Sequence, residues 1–70
     1  MTRFQRQQAE VLGTLGAGDV RRALTLSREH LAEFPEDRLV RRAMIDSVEL
    51  SGDRSLRDEL RDLLAAIGGV

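Results

Sequence analysis

The sequence predicts an all-α fold in which four antiparallel helices form two stacked helical hairpins, with a four-helix bundle as the alternative. Apolar residues recur at spacings of three and four in four separate segments, as on one face of an α-helix. Glycine or proline interrupts the chain between these segments, at 16–18, 35 and 52. The alternation of apolar and polar residues that is typical of a strand does not occur. The 70 residues are therefore expected to fold as one helical domain.

The first predicted helix spans residues 2–15 and the second spans residues 19–34. The glycines of the segment 16–18 are expected to end the first helix, because glycine readily adopts the conformation found at helix C-termini. Asp19 is the expected N-cap of the second helix, since its carboxylate can accept a hydrogen bond from the free amides of the first turn. Pro35 is expected to end that helix. The residues on the two inward stripes are Phe4, Val11, Leu12, Leu15, Val20, Ala23, Leu24, Ser27, Leu31 and Phe34.

The third predicted helix spans residues 38–50 with Asp37 as its N-cap, and the fourth spans residues 54–67. Asp53 and Ser55 are alternative N-caps for the fourth helix, because the acid three residues after Ser55 resembles a capping box. All connections are short, so consecutive helices should pack antiparallel. The inward residues are Leu39, Val40, Ala43, Met44, Ile45, Val48, Leu50, Leu56, Leu60, Leu63, Leu64 and Ile67.

An internal repeat links the two halves of the chain. The doublet Gly18-Asp19 recurs 34 residues later as Gly52-Asp53, each time between two predicted helices. A tight turn followed by a capped helix is needed at both places, and glycine and aspartate meet these two needs. The recurrence indicates two similar hairpins, and a lone hairpin cannot bury its apolar face unless a second one stacks on it.

At this spacing the chain resembles the tetratricopeptide repeat (TPR) family, and the resemblance is most specific over residues 18–35. Ala23 falls at the small position where the two helices of a unit pack closely, and Pro35 falls at the family's terminal proline position. The family's first-helix signature, an aromatic residue followed by Leu-Gly and then Tyr, is absent. Arg57 also occupies the place equivalent to Ala23 in the second unit, so the second unit departs further from the pattern.

The resemblance implies a groove, lined by the first helix of each unit, that binds a peptide or helical segment of a partner protein. The outward positions of the first and third predicted helices are Gln7, Gln8, Glu10, Thr14, Arg38, Arg41, Arg42 and Ile45. We therefore expect a protein–protein interaction module that uses these residues. The alternative is a structural homo-oligomerisation domain, such as a homodimer, because a thin core without disulfide or metal favours self-association. Its interface residues would be Phe4, Leu26, Ile45 and Leu50.

The residues that could carry catalysis are few, so we expect no enzyme, no catalytic residue, no metal and no cofactor. The chain has no cysteine, and His30 is its one histidine. His30 is a candidate general base or partner contact, but its place at the edge of an apolar stripe favours structural packing. Ser47 within Asp46-Ser47-Val48 resembles the attachment site of acyl carrier proteins, although it lies late in a helix rather than at a helix start. A carrier domain is the more distant alternative.

The charged residues of the chain limit the classes of partner that it can bind. The net charge of −1 argues against a domain devoted to nucleic acid. Arg38, Arg41 and Arg42 share one helix face, where they would bind a partner's acidic segment or, alternatively, form ion pairs such as Arg42 with Asp46. No apolar run is long enough for a membrane helix, and Met1 is not followed by an apolar signal segment, so we expect a soluble cytoplasmic protein.

Overall fold

The computed structural model describes residues 1–68, and four α-helices make up most of this range. These are α1 (Arg3–Gly16), α2 (Val20–Glu33), α3 (Arg38–Ser51) and α4 (Arg54–Ala66). No strand occurs among the described residues, so the predicted all-α class is confirmed. Each observed helix end lies within one residue of the predicted end. None of these helices combines the length and apolarity that are needed to cross a bilayer.

Aspartate side chains cap three of the four helices. Asp19 accepts a hydrogen bond from a backbone amide at the start of α2, and Asp37 does the same at the start of α3. Asp53 caps α4, where its carboxylate accepts from the amide of Ser55 at 2.8 Å. The alternative in which Ser55 caps this helix is therefore wrong, because Ser55 lies inside the first turn and donates to the cap.

The start of α1 carries a cap that the sequence analysis did not predict. The Thr2 side chain accepts from the amide of Gln5 at 3.1 Å, and the Gln5 side chain accepts from the amide of Thr2 at 3.0 Å. This reciprocal pair is a capping box, and it satisfies two amides that a helix start would otherwise leave free.

Glycine provides the left-handed backbone at the turns that follow α1 and α3, with φ of 85° at Gly18 and 67° at Gly52. Replacing Gly52 by alanine should lower the free energy of unfolding by about 1 kcal/mol, since an L side chain is strained at this φ. The matched control is Gly13→Ala inside α1, where an added Cβ meets no atom within 4 Å beyond the adjacent residues and the backbone of its own helix. It should instead raise stability by about 0.5–1 kcal/mol. Urea unfolding of both variants measures the two changes in stability. Equal changes would contradict the left-handed conformation of Gly52.

The four helices pack as two stacked hairpins. The hairpin partners α1 and α2 contact each other, as do α3 and α4, and the hairpins meet through contacts of α1 with α3, of α2 with α4 and of α2 with α3. No contact joins α1 to α4 among the described residues, whereas the first and last helices of a closed up-and-down bundle are neighbours. The Cα atoms span 34 × 28 × 15 Å, the shape of a two-layer slab.

The apolar core lies among the four helices and is almost entirely aliphatic. Its buried apolar residues are Val11, Ala23, Leu24, Leu31, Val40, Met44, Val48, Leu56, Leu60 and Leu63. The prediction that Leu39 and Leu50 belong to the inward stripe of the third helix is wrong, because Leu39 is 55% and Leu50 is 89% exposed. At about 100° per residue, both lie more than about 100° around α3 from the buried Met44, so they point away from the core.

Candidate functional site

His30 is buried at the junction of three helices, with no exposed surface. Its Nδ1 lies 2.8 Å from Oε1 of Gln7, and its Nε2 lies 2.7 Å from Oδ2 of Asp37. The rings of Phe4 and Phe34 flank it, each with a centroid 5.3 Å from that of the imidazole. A general base must reach a substrate, and this ring is enclosed, so the geometry agrees with structural packing.

Hydrogen bonds hold the imidazole of His30 on both sides. The Asp37 carboxylate only accepts when ionised, so Nε2 of His30 donates to it. The amide nitrogen of Gln7 lies 3.4 Å from a carboxylate oxygen of Glu33, while the Gln7 oxygen faces Nδ1 of His30. Both ring nitrogens of His30 therefore have a hydrogen-bond partner.

Asp37 is the centre of this network, because it binds three elements at once. Its Oδ1 accepts from the amide of Val40 and thereby caps α3, while Oδ2 accepts from His30 and, at 3.1 Å, from Nε2 of Gln8 on α1. We call the residues Gln7, Gln8, His30 and Asp37 the His30 cluster. Burial raises the pKa of Asp37, but the hydrogen bonds from His30, Val40 and Gln8 outweigh it, so the pKa lies below its ordinary value of 3.8.

Acid should therefore weaken the fold through Asp37. The unfolded chain takes up a proton at this carboxyl at higher pH than the folded chain does, so the stability that the carboxylate contributes is lost as the pH falls below about 4. Hydrogen bonding to Arg3 also lowers the pKa of Glu33, which acts in the same direction. Urea unfolding between about pH 6 and pH 3 should show a steep loss that is shallower in Asp37→Asn. Identical slopes for the two proteins would exclude this role of Asp37.

The predicted arginines come together on α3. Arg38, Arg41, Arg42 and Ile45 line one open concavity of about 320 Å³, which we call the arginine pocket. Arg42 is 4.0 Å from Asp46, the ion pair that the sequence predicts. Arg38 and Arg41 have no acidic oxygen within 4.0 Å among residues 1–68. Nε of Arg41 is buried and has no hydrogen-bond partner there. The pocket thus places two arginines without an acidic partner beside the apolar side chain of Ile45.

The residues predicted on α1 do not join this pocket. Gln7 and Gln8 belong to the His30 cluster, where they bind α2 and the start of α3. Glu10 lies in a separate concavity against α2, and the hydroxyl of Thr14 donates to the carbonyl of Glu10 at 2.7 Å. The structure thus places the arginine pocket on α3, and a binding groove lined by both helices stays a prediction. Gln7 and Gln8 are half-buried because the neighbouring elements offer them hydrogen-bond partners.

A third concavity lies between α2 and α4, with a volume of about 600 Å³, and we call it the α2–α4 groove. Most of its wall is apolar, and its lining residues are Arg28, Leu31, Ala32, Pro35, Asp62, Leu63, Ala66 and Ile67. The sequence analysis did not identify this groove. The two helices belong to different hairpins, so no spacing along the chain signals that they meet there.

The remaining candidates give no chemical site. No group of three or more metal-ligating side chains occurs in the described part of the chain. Ser47 is half-buried within α3, well past the start of that helix. Of the residues suggested for a homo-oligomer interface, Phe4 packs against His30 and Phe34, whereas Leu50 is exposed.

Comparison with known proteins found no matching family model, no matching curated protein and no matching solved structure. The resemblance to the TPR family therefore depends on the residues that carry it and on the packing order of the four helices. Function has to be inferred from the surfaces described above, and the arginine pocket is the one where three arginines line a single concavity.

Proposed function

We propose that this chain is a TPR-like interaction module of the cytoplasm that binds a segment of a partner protein at the arginine pocket. The TPR-like assignment is supported by the Gly-Asp doublets 34 residues apart and by helices that stack hairpin on hairpin. Ala23, at the position where the family keeps a small residue, is fully buried.

The observation that carries the binding proposal is the arginine pocket, in which three arginine side chains surround one concavity. Arg38 and Arg41 have no acidic oxygen within 4.0 Å among residues 1–68, so a partner's carboxylate would supply a counter-charge that the fold lacks there. Arg38 and Arg42 add positive charge around the same concavity, and Ile45 adds apolar surface. A segment with acidic and aliphatic side chains matches both properties, because forked guanidinium groups bind carboxylates in a bidentate manner.

Reversing two charges of the pocket, in Arg41→Glu with Arg42→Glu, should abolish most of this binding. Short randomised peptides selected on the wild-type chain should be rich in acidic and aliphatic residues. Fluorescence anisotropy should then show at least an about tenfold loss of affinity for the variant, since two attractive contacts become repulsive.

The matched control is Arg6→Glu with Arg22→Glu, which changes the net charge equally at exposed residues of α1 and α2. It should change the affinity by no more than about twofold. Circular dichroism melting checks that both variants stay folded. A selection that yields no acidic peptides, or an affinity that the pocket variant keeps, would exclude the arginine pocket as the binding surface.

A further inference from the structure

We infer that the arginine pocket takes a phosphorylated side chain of the partner segment, an inference that rests on the proposed function. The number and spacing of the guanidinium groups favour this ligand. Arg38, Arg41 and Arg42 lie at i, i+3 and i+4 of one helix, so their side chains share a face and surround a single concavity.

The charge of the pocket exceeds what one carboxylate can balance. Asp46 lies at 4.0 Å from Arg42, and both side chains are more than half exposed, so water screens this pair. The positive charges of Arg38 and Arg41 have no acid within 4.0 Å among residues 1–68. A phosphate monoester carries about −1.5 to −2 charges at neutral pH, which matches two arginines, whereas a glutamate supplies one.

The hydrogen-bonding groups fit a tetrahedral anion for a separate reason. The two terminal nitrogens of an arginine guanidinium each direct one N–H along the outer edge of the group. That edge can donate to two oxygens of one anion. Phosphate has three terminal oxygens, so it can accept from Arg41 and from a second arginine together, while a carboxylate has two. Ile45 provides apolar surface for the carbon atoms next to the phosphate.

A phosphorylated segment of protein fits the pocket better than a nucleic acid does. The whole chain has 12 acidic and 11 basic residues, so its average field does not attract a polyanion. The arginine pocket is a single cluster on α3 and matches a single phosphate. Because the concavity is shallow, a free anion would gain little buried area, while a peptide extends its contacts along the helix.

Three pools of short peptides test the inference. They share randomised flanks and differ at one fixed position, which is phosphoserine, glutamate or serine. Sequences selected from the phosphoserine pool should bind at least about tenfold more tightly than their glutamate counterparts, and the serine counterparts should bind more weakly still. In NMR spectra, the Nε–H signal of Arg41 should move on binding, and inorganic phosphate at millimolar concentration should move the same signal.

Variants that keep the charge separate a forked site from a general positive field. Arg38→Lys, Arg41→Lys and Arg42→Lys combined should remove the preference for phosphoserine, because lysine cannot form the two-oxygen contact. The matched control combines Arg54→Lys, Arg57→Lys and Arg61→Lys on α4, where all three arginines are exposed, and it should keep the preference.

The outcomes distinguish this inference from the proposed function. Equal affinity for the phosphoserine and glutamate peptides would overturn the phosphate inference and leave an acidic-segment module in place. An unaltered preference in the triple-lysine variant on α3 would overturn the assignment to this pocket. Absence of binding to every pool, together with an Arg41 signal that phosphate does not move, would overturn both.

Discussion

Replacing Asp37 by alanine should lower the free energy of unfolding by about 3 kcal/mol, the combined effect of two losses. The start of α3 loses its cap, which costs about 1 kcal/mol. The donors of His30 and Gln8 lose their acceptor at a site where Asp37 is only 4% exposed, which costs about 1–3 kcal/mol more. Equilibrium unfolding in urea, followed by circular dichroism, measures the change.

Asp19→Ala is the matched control, because Asp19 caps α2 with the same chemistry but is exposed, and its side chain binds no other helix in the described structure. It should cost about 1 kcal/mol. If the two substitutions cost the same, the bonds from Asp37 to His30 and Gln8 contribute nothing to stability. A selective loss of resistance to exchange at amides in the first turn of α3 would locate the effect at the cap.

Features with a local cause could be predicted from the sequence. Helix starts at Asp19 and Asp37 follow from chemistry between a side chain and an amide three residues away. For α4 the same rule gives two candidate N-caps, because Asp53 and Ser55 are both residue types that cap helices. Only the backbone conformation decides between them. The capping box at Thr2 followed an equally local signal that the sequence analysis did not use.

The His30 cluster could not be predicted, because its partners are distant in sequence. Gln7 and His30 are 23 residues apart and meet only after α1 and α2 have packed. Glutamine normally lies outside, so Gln7 and Gln8 were assigned to a solvent-facing groove. Tertiary hydrogen bonds override that preference here, since a buried imidazole and a buried carboxylate need polar partners.

The arginine pocket was the more predictable of the two sites, because all its residues lie on one helix. Spacing alone places Arg38, Arg41 and Arg42 on a common face. The sequence cannot show that Nε of Arg41 is shielded from water, since this depends on how the hairpins pack. It is the concavity around these side chains that changes an ordinary exposed cluster into a candidate binding site.

The two sites are adjacent in the chain, which connects stability to the proposed binding. Asp37 fixes the first turn of α3, and the next residue, Arg38, is part of the arginine pocket. Hydrogen bonds from α1 and α2 to Asp37 therefore hold the helix that presents the arginines. A binding surface is more effective when the fold holds it rigid, because less conformational entropy is lost on association.

Truncating Leu24 to alanine should produce the largest loss of stability in the chain, about 3–4 kcal/mol. Leu24 is 1% exposed and belongs to the apolar core. Removal of three carbon atoms loses buried apolar surface and also leaves a cavity, and both effects lower stability. A domain of 70 residues has only about 4–10 kcal/mol to lose, so the midpoint of urea unfolding should fall far below that of the wild type.

The matched control is the same truncation at Leu50, which the apolar pattern of α3 assigned to the core and the structure leaves 89% exposed. Leu50→Ala should change the free energy of unfolding by no more than about 0.5 kcal/mol, because no cavity forms at the surface. A large loss at Leu50 would mean that this side chain is covered in solution, by a second copy of the chain or by closer packing. Since covering by a second copy depends on concentration, repeating the unfolding across a dilution series separates these two explanations.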